Sequence, residues 1–134
     1  MRQQSNGDLE MNGIRFFFDT TAIIAYLGGN MPIQEAISNA SWIGTSVIAA
    51  IEFLSFSKRS DNDLSLFYIF LNRIEIVGIL NNLAFLETLA VFKSESRLKL
   101  PEALIAGYAI QLQANLISND KYFQNIRKLK VLHF

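Results

Sequence analysis

The chain has 134 residues, of which 51% are hydrophobic and 18% are charged, a composition typical of one compact domain and not of a disordered segment. Its 12 basic and 12 acidic residues balance, so bulk charge does not indicate a nucleic-acid-binding protein. The lack of cysteine excludes disulfides, thiolate metal sites and cysteine catalysis, and a single histidine, His133, excludes a histidine-rich zinc site.

The first twelve residues, MRQQSNGDLEMN, are polar and contain no apolar segment of the kind found in a signal peptide. We expect residues 1–12 to form a flexible tail before a single domain over residues 13–134, with Met11 as an alternative translation start. No stretch reaches the ~18 apolar residues needed to cross a bilayer. The sequence therefore predicts a cytoplasmic protein that does not insert into a membrane.

Apolar runs and helical spacings alternate through the first half of the chain. The aromatic run IRFFF ends abruptly at Asp19, as a buried strand would, and Gly28-Gly29 ends the helical pattern that follows. In chain order, the predicted elements are a strand over Ile14–Phe18, a helix over Thr20–Leu27, a short helix opened by Pro32, a strand over Trp42–Ser46 and a helix over Val47–Phe56.

The second half continues the alternation. We expect Asp61 or Asp63 to cap a helix running to Asn72, and Asn81 or Asn82 to start a longer one. The expected inner faces are Leu64, Phe67, Tyr68 and Leu71 in the first, and Leu83, Leu86, Leu89 and Ala90 in the second. The other predicted elements are strands over Ile74–Val77, Asn115–Ser118 and Val131–Phe134, the last at an edge, a helix from Pro101 and a short helix near Tyr122–Ile126.

This alternation predicts a three-layer α/β/α domain with a mainly parallel sheet of about five strands. Crossover connections in such a sheet bring the carboxyl ends of the strands to one edge, where ligands bind.

Four acidic residues fall at positions that can meet at this edge. Asp19 and Asp120 each end a strand, Glu52 lies in the helix after the second strand, and Glu102 begins the helix that leads to the Asp120 strand. Each has a purely structural explanation as well: a helix cap for Asp19, a solvent-facing helix rim for Glu52, a favourable helix dipole for Glu102 and a turn for Asp120.

The combination favours a functional interpretation over four separate structural ones. Converging carboxylates repel one another strongly, and a hard divalent cation such as Mg²⁺ or Mn²⁺ relieves that repulsion. One or two such ions can activate water for attack on a phosphate. Tyr122 and Phe123, next to Asp120, can stack on a base, although we expect Phe123 to pack in the core.

At these same residues the sequence resembles a known family, the PIN domains. The segments FFFDTTAIIAYL, TSVIAAIEFLSF, KLPEALIAGYAI and LISNDKYF are similar to the four PIN motifs and follow in the same order. The resemblance extends from about Ile14 to Phe134, and within the family the chain most resembles the small VapC-type toxins of bacterial toxin–antitoxin pairs.

The resemblance implies a Rossmann-like sheet and an endoribonuclease that depends on Mg²⁺ or Mn²⁺. It matches the acids of the family to Asp19, Glu52, Glu102 and Asp120, as catalytic and metal-binding residues, and places Thr21 and Ser118 in supporting positions. It also implies an RNA substrate, a small antitoxin protein as partner and a homodimer.

One departure keeps a second hypothesis open. Glu102 stands after Leu100-Pro101 where the family usually has aspartate, and its side chain is one methylene longer. Because metal sites tolerate displacements of only ~0.5 Å, the chain can instead be a catalytically weakened PIN-like module that binds RNA or a protein without cleavage. A third hypothesis, a phosphotransfer domain, fits less well because Thr21 stands where the phosphatase pattern needs a second aspartate.

Overall fold

The computed structural model describes residues 13–56, 60–78 and 82–134. The predicted N-terminal tail, residues 1–12, and the alternative start at Met11 lie outside these ranges. None of the helices found within them is long and apolar enough to cross a membrane.

Five strands and six α-helices alternate over the described ranges, together with a 3₁₀ helix over Lys121–Phe123. The strands are β1 (Arg15–Phe18), β2 (Trp42–Ser46), β3 (Glu75–Val77), β4 (Asn115–Ile117) and β5 (Val131–Leu132). The helices are α1 (Thr20–Leu27), α2 (Met31–Ile37), α3 (Val47–Ser55), α4 (Asp61–Leu71), α5 (Leu83–Ser96) and α6 (Leu100–Gln111).

The sheet has the strand order β3-β2-β1-β4-β5, and every neighbouring pair is parallel. Phe18, the last residue of β1, pairs with Thr45 on one side and with Ile117 on the other. The residues that follow these strand ends therefore emerge together at one edge of the sheet. This register confirms the predicted parallel α/β architecture.

The side chains of β1 alternate between two hydrophobic clusters, one on each face of the sheet. Phe17 joins the cluster that contains Phe85 and Tyr108, from α5 and α6. Phe16 and Phe18 join the cluster on the other face, with residues of α1, α3 and α4. The central strand is thus buried on both faces, which confirms the three-layer arrangement.

Trp42 lies at the opposite end of the sheet, where β2 begins. Its indole covers Gly44, and a Cβ at Gly44 would overlap the ring. The ring stacks on Phe17, with a centroid separation of 6.4 Å. The guanidinium carbon of Arg15 lies 4.5 Å from the centroid of the same indole ring. The absence of a side chain at Gly44 is therefore what lets the indole lie flat on the strand.

The cap of α4 differs from the prediction. Ser60, and neither Asp61 nor Asp63, is the N-cap, and its hydroxyl accepts a hydrogen bond from the Asp63 backbone N–H. The Asp63 carboxylate in turn accepts from the Ser60 backbone N–H at 3.0 Å. This reciprocal capping box satisfies two backbone donors at once, which a single aspartate cap cannot do.

The predicted inner face of α4 was partly wrong. Phe67 and Phe70 are buried, whereas Tyr68 is 53% exposed and Leu64 and Leu71 are half-buried. The ring of Phe67 stacks on Phe53 of α3 at a centroid distance of 4.1 Å, and this packing fixes the rotation of the helix.

The inner face of α5 was also partly wrong. Asn82 caps the helix, in agreement with one of the two predicted caps, and Leu89 is buried as expected. Leu83 and Leu86 are 72% and 45% exposed, and Ala90 is exposed, while Phe85 is buried in their place. Phe85 stacks on Tyr108 with centroids 5.3 Å apart, so the larger aromatic contact selects the buried face.

The C-terminal elements are shorter than predicted. The short helix expected near Tyr122–Ile126 is the 3₁₀ turn Lys121–Phe123, and β5 ends at Leu132. Beyond β5, the Asn119 side chain bonds the backbone of Phe134: its Oδ1 accepts from the Phe134 N–H at 2.7 Å, and its Nδ2 donates to the Phe134 carbonyl. This amide side chain takes the place of the predicted last strand pairing.

Candidate functional site

A cleft of about 260 Å³ lies at the carboxyl edge of the sheet. All four predicted acids, Asp19, Glu52, Glu102 and Asp120, line it. The other described lining residues are Thr20, Thr21, Pro101, Ile105 and Phe123. The parallel topology therefore brings to one cleft Asp19 and Asp120, which are 101 positions apart in the chain. No cationic side chain stands among the described residues that line the cleft.

Asp19 is at once a helix cap and a wall of the cleft. Its Oδ1 accepts hydrogen bonds from the Ala22 backbone N–H at 2.8 Å and from the Thr21 hydroxyl at 3.0 Å. The residue is only 5% exposed. Asp19 is therefore the helix cap that the sequence suggested and a residue of the cleft as well. The cap uses only one of its two carboxylate oxygens.

Burial raises the pKa of Asp19 above its ordinary value, because desolvation disfavours the charged form. Hydrogen bonds from the Ser118 hydroxyl, the Ala22 backbone and the Thr21 hydroxyl lower this pKa, and the negative charge of Asp120 raises it again. Asp19 and Asp120 are therefore close enough to interact electrostatically. Thr21 and Ser118 both support the ionised form of Asp19.

Asp120 follows β4 and caps the 3₁₀ helix. Its backbone N–H donates to the Ser118 hydroxyl oxygen at 3.0 Å, and its Oδ1 accepts from the Tyr122 backbone N–H at 3.0 Å. The hydroxyl of the fully buried Ser118 links the two aspartates, because it accepts from the Asp120 backbone N–H and donates to the Asp19 carboxylate. The turn expected at Asp120 is present and orients its carboxylate.

Glu52 reaches the cleft from α3, and its carboxylate is held by Thr20. The Thr20 hydroxyl donates to Oε1 of Glu52 at 2.6 Å, a short bond of the kind that a charged acceptor makes. Thr20 was not singled out from the sequence, because the contact joins α1 to α3 across 32 positions and follows no local spacing. Its position directly after Asp19 was the one available signal.

Glu102 lies in the first turn of α6, after Pro101, and is half-buried. An anion in this position is stabilised by the partial positive charge at the start of the helix. Its neighbours in the cleft wall include Ile105, one turn further along the helix. Glu102 thus approaches the cleft from the helix that leads into β4.

The donor set fits a hard divalent cation. Four carboxylates and two threonine hydroxyls supply oxygen atoms, the donor type that such cations prefer. As the side chains are placed, no three carboxylates of the described residues lie close enough together to share one ion. Asp19 and Asp120 interact directly, whereas the longer side chains of Glu52 and Glu102 would have to turn toward them.

Comparison with solved structures places the fold among chains of toxin–antitoxin complexes. A chain of VapBC2 from Rickettsia felis, bound to a DNA fragment from their promoter, is 21% identical, with 90% of this chain and 98% of that chain covered and a TM-score of 0.73. A chain of a toxin–antitoxin complex from Klebsiella pneumoniae is 24% identical, with 87% of this chain and 94% of that chain covered and a TM-score of 0.70. A chain of VapBC-1 from nontypeable Haemophilus influenzae is 23% identical, with 90% of this chain and 98% of that chain covered and a TM-score of 0.68.

No curated protein matches the chain. The model of the PIN domain family, however, matches residues 16–129, a span that includes the four acids of the cleft and strands β1 to β4, apart from the first residue of β1. This match covers most of the sequence and contains the whole carboxylate cleft. The chain belongs to the PIN domain family.

Proposed function

We propose that this PIN domain is a metal-dependent endoribonuclease, a VapC-like toxin that cleaves phosphodiester bonds of cytoplasmic RNA. The observation that carries the proposal is the cleft lined by Asp19, Glu52, Glu102 and Asp120, with no cationic side chain among the described lining residues. Such a site attracts a divalent cation, and Mg²⁺ or Mn²⁺ matches its oxygen donors.

A bound divalent cation would lower the pKa of a coordinated water and neutralise charge on the phosphate. Asp19 and Asp120 would hold it most directly, because they are fixed by backbone hydrogen bonds and interact with each other. Glu52, oriented by Thr20, and Glu102 would complete the ligand set. Because no histidine, lysine or arginine is among the described lining residues, the leaving oxygen takes its proton from water.

Incubation with a mixed RNA pool tests the proposal. We expect cleavage with Mg²⁺ or Mn²⁺, none with EDTA, and none from Asp19→Asn. The matched control is Glu87→Gln, which neutralises an exposed carboxylate on α5 outside the cleft and should leave cleavage unchanged. Cleavage that persists in EDTA, or in Asp19→Asn, would contradict a metal-dependent site at this cleft.

We further propose a small antitoxin as partner. The chains of similar fold come from VapBC and other toxin–antitoxin complexes, and this chain has a mainly apolar cavity of about 490 Å³ between α1, α2 and α4. Ile69, which is 51% exposed, lines this cavity and suits a helical partner. Ile69→Glu should abolish copurification with the adjacently encoded protein, while Ile24→Glu, at an exposed position that does not line the cavity, should not.

A homodimer belongs to the same proposal. Leu83, Leu86 and Val91 leave an exposed apolar surface on α5 that a second copy can cover. Analytical ultracentrifugation should give twice the monomer mass of 15.2 kDa, and a monomer at micromolar concentration would contradict this part.

The second candidate is a binding module without cleavage. It is favoured by Glu102, one methylene longer than the aspartate of the family pattern, and by the absence of a preformed three-carboxylate group among the described residues. If the natural protein is silent and Glu102→Asp cuts RNA, the natural protein is a binder. If the natural protein cuts, this candidate is excluded.

A further inference from the structure

Tyr122 is an exposed aromatic side chain beside the carboxylate cleft. It is 61% exposed, whereas its chain neighbour Phe123 is 2% exposed and lines the cleft. The backbone N–H of Tyr122 bonds Oδ1 of Asp120, which also lines the cleft. The backbone that carries the ring is therefore fixed on both sides by residues of the cleft wall.

Of the other three tyrosines, two pack against neighbouring aromatic rings and one is exposed outside the cleft. Tyr26 packs against Phe18 and Phe70, with ring centroids 5.7 and 5.3 Å away. Tyr108 is fully buried, and its hydroxyl donates to the Gly78 carbonyl at 2.8 Å. Tyr68, on α4, is 53% exposed but is not among the residues that line the cleft.

The chemistry of the cleft gives an exposed ring a role. Its four carboxylates repel a phosphate backbone, so a nucleic acid needs attraction that does not depend on the charge of the cleft. Stacking of a base on an aromatic ring is such a contact, and each stacked base contributes about 1–3 kcal/mol. Lys121, exposed and directly before Tyr122, places one cation next to the ring for a neighbouring phosphate.

We propose that Tyr122 is a stacking platform for one unpaired base next to the cleaved bond. The inference rests on the proposed ribonuclease function. One residue, Lys121, separates Asp120 from Tyr122, so their Cα atoms are at most about 7.6 Å apart and the stacked base belongs to a nucleotide close to the reacting phosphate. A base inside a duplex has both faces covered by its neighbours and cannot stack on the ring.

Binding can be measured separately from cleavage. In the Asp19→Asn background with Mg²⁺, a fluorescent RNA pool of random sequence is titrated as single strands and after annealing to its complement. We expect Tyr122→Ala to weaken single-strand binding at least fivefold and Tyr122→Phe to stay within about twofold, because the ring and not the hydroxyl makes the contact. Tyr68→Ala, which removes another exposed tyrosine that does not line the cleft, should bind as the parent does.

A second readout reports the stacking itself. RNA that carries 2-aminopurine at successive positions should show quenched fluorescence at one position, and Tyr122→Ala should remove that quenching. Equal binding by Tyr122→Ala and its parent, an equal loss in Tyr122→Phe, equal affinity for the duplex, or no binding to single strands would each overturn the inference. RNA that binds through Tyr122 but is never cut by the natural protein would instead overturn the ribonuclease proposal and leave the stacking site standing.

Discussion

The two aspartates and the two glutamates of the cleft are held in different ways. Asp19 directly follows β1, Asp120 lies three residues after the end of β4, and each accepts a backbone hydrogen bond that fixes its carboxylate. Glu52 and Glu102 reach in from helices on longer side chains. Glu52 is fixed by one hydroxyl, and no described residue donates a hydrogen bond to the carboxylate of Glu102. The sheet edge thus supplies rigid carboxylates and the helices supply adjustable ones.

The largest expected effect comes from changing the side-chain length of an acid at the sheet edge, compared with the opposite change on a helix. Asp19→Glu should lower the cleavage rate at least ~100-fold, because a displacement of about 1 Å can cost that much, and should lower the free energy of unfolding by about 1 kcal/mol through loss of the cap. Glu102→Asp, the reverse exchange on a helix, should not lower the rate. Single-turnover cleavage and urea unfolding measure both effects, and equal losses in the two variants would break the distinction.

Removal of the hydrogen bond from Thr20 to Glu52 should have the next largest effect. Thr20→Val keeps the shape of the side chain but removes its bond to Glu52, and should lower metal affinity and cleavage 10- to 100-fold, as loss of an outer contact to a ligand does. Thr20→Ser retains the hydroxyl and serves as the control. Isothermal titration with Mn²⁺ gives the metal affinity directly, and a Val variant as good as Ser would show that Glu52 needs no orientation.

The stability of the loop that carries Asp120 should depend on the side chain of Asn119. Asn119→Ala removes both side-chain bonds to the Phe134 backbone and should lower the free energy of unfolding by about 1–2 kcal/mol. Asn62→Ala, at an exposed position in α4, is the control and should change it by less than about 0.5 kcal/mol. A loss in stability with unchanged metal affinity would mean that the loop holds Asp120 without help from the C-terminal residues.

The smallest expected effect is a pH dependence of stability. Because the pKa of Asp19 is raised in the folded protein above its ordinary value of 3.8, the folded state binds this proton more tightly than the unfolded state. The stability of the metal-free protein should therefore fall, relative to Asp19→Asn, as the pH rises through the interval from 3.8 to the raised pKa, and the difference should be constant above it.

Urea unfolding in EDTA from pH 3 to pH 8 measures this difference. Asparagine retains an oxygen for the Ala22 N–H, so the cap survives the substitution. If the natural protein is instead the more stable one at pH 7 in EDTA, burial of the charge is not the dominant influence on Asp19.

Much of the fold follows from the sequence because its strands are short, apolar and sharply ended. The run before Asp19 and the strand Trp42–Ser46 were predicted to within one residue, and parallel topology then forces the ends of β1 and β4 together. The placement of Asp19 and Asp120 on one cleft is a consequence of this topology and needs no knowledge of the helices.

The helical contribution was harder to predict, because α4 and α5 carry apolar residues on more than one side. Spacing alone did not distinguish Phe85 from Leu86, and the stacking of Phe85 on Tyr108 decided which was buried. The bond from Thr20 to Glu52 likewise depends on how α1 packs on α3. Contacts between elements that are distant in the chain leave no local pattern.

The indole of Trp42, which lies flat on Gly44, is an intrinsic fluorescence probe of the sheet. It is the single tryptophan of the chain, and it lies at the start of β2, about 13 Å along the strand from Ser46 at the cleft edge. Its fluorescence on unfolding reports the stacked contacts with Phe17 and Arg15, at the end of the sheet away from the carboxylates. A variant of the cleft that leaves this emission unchanged has altered the chemistry of the site and not the sheet beneath it.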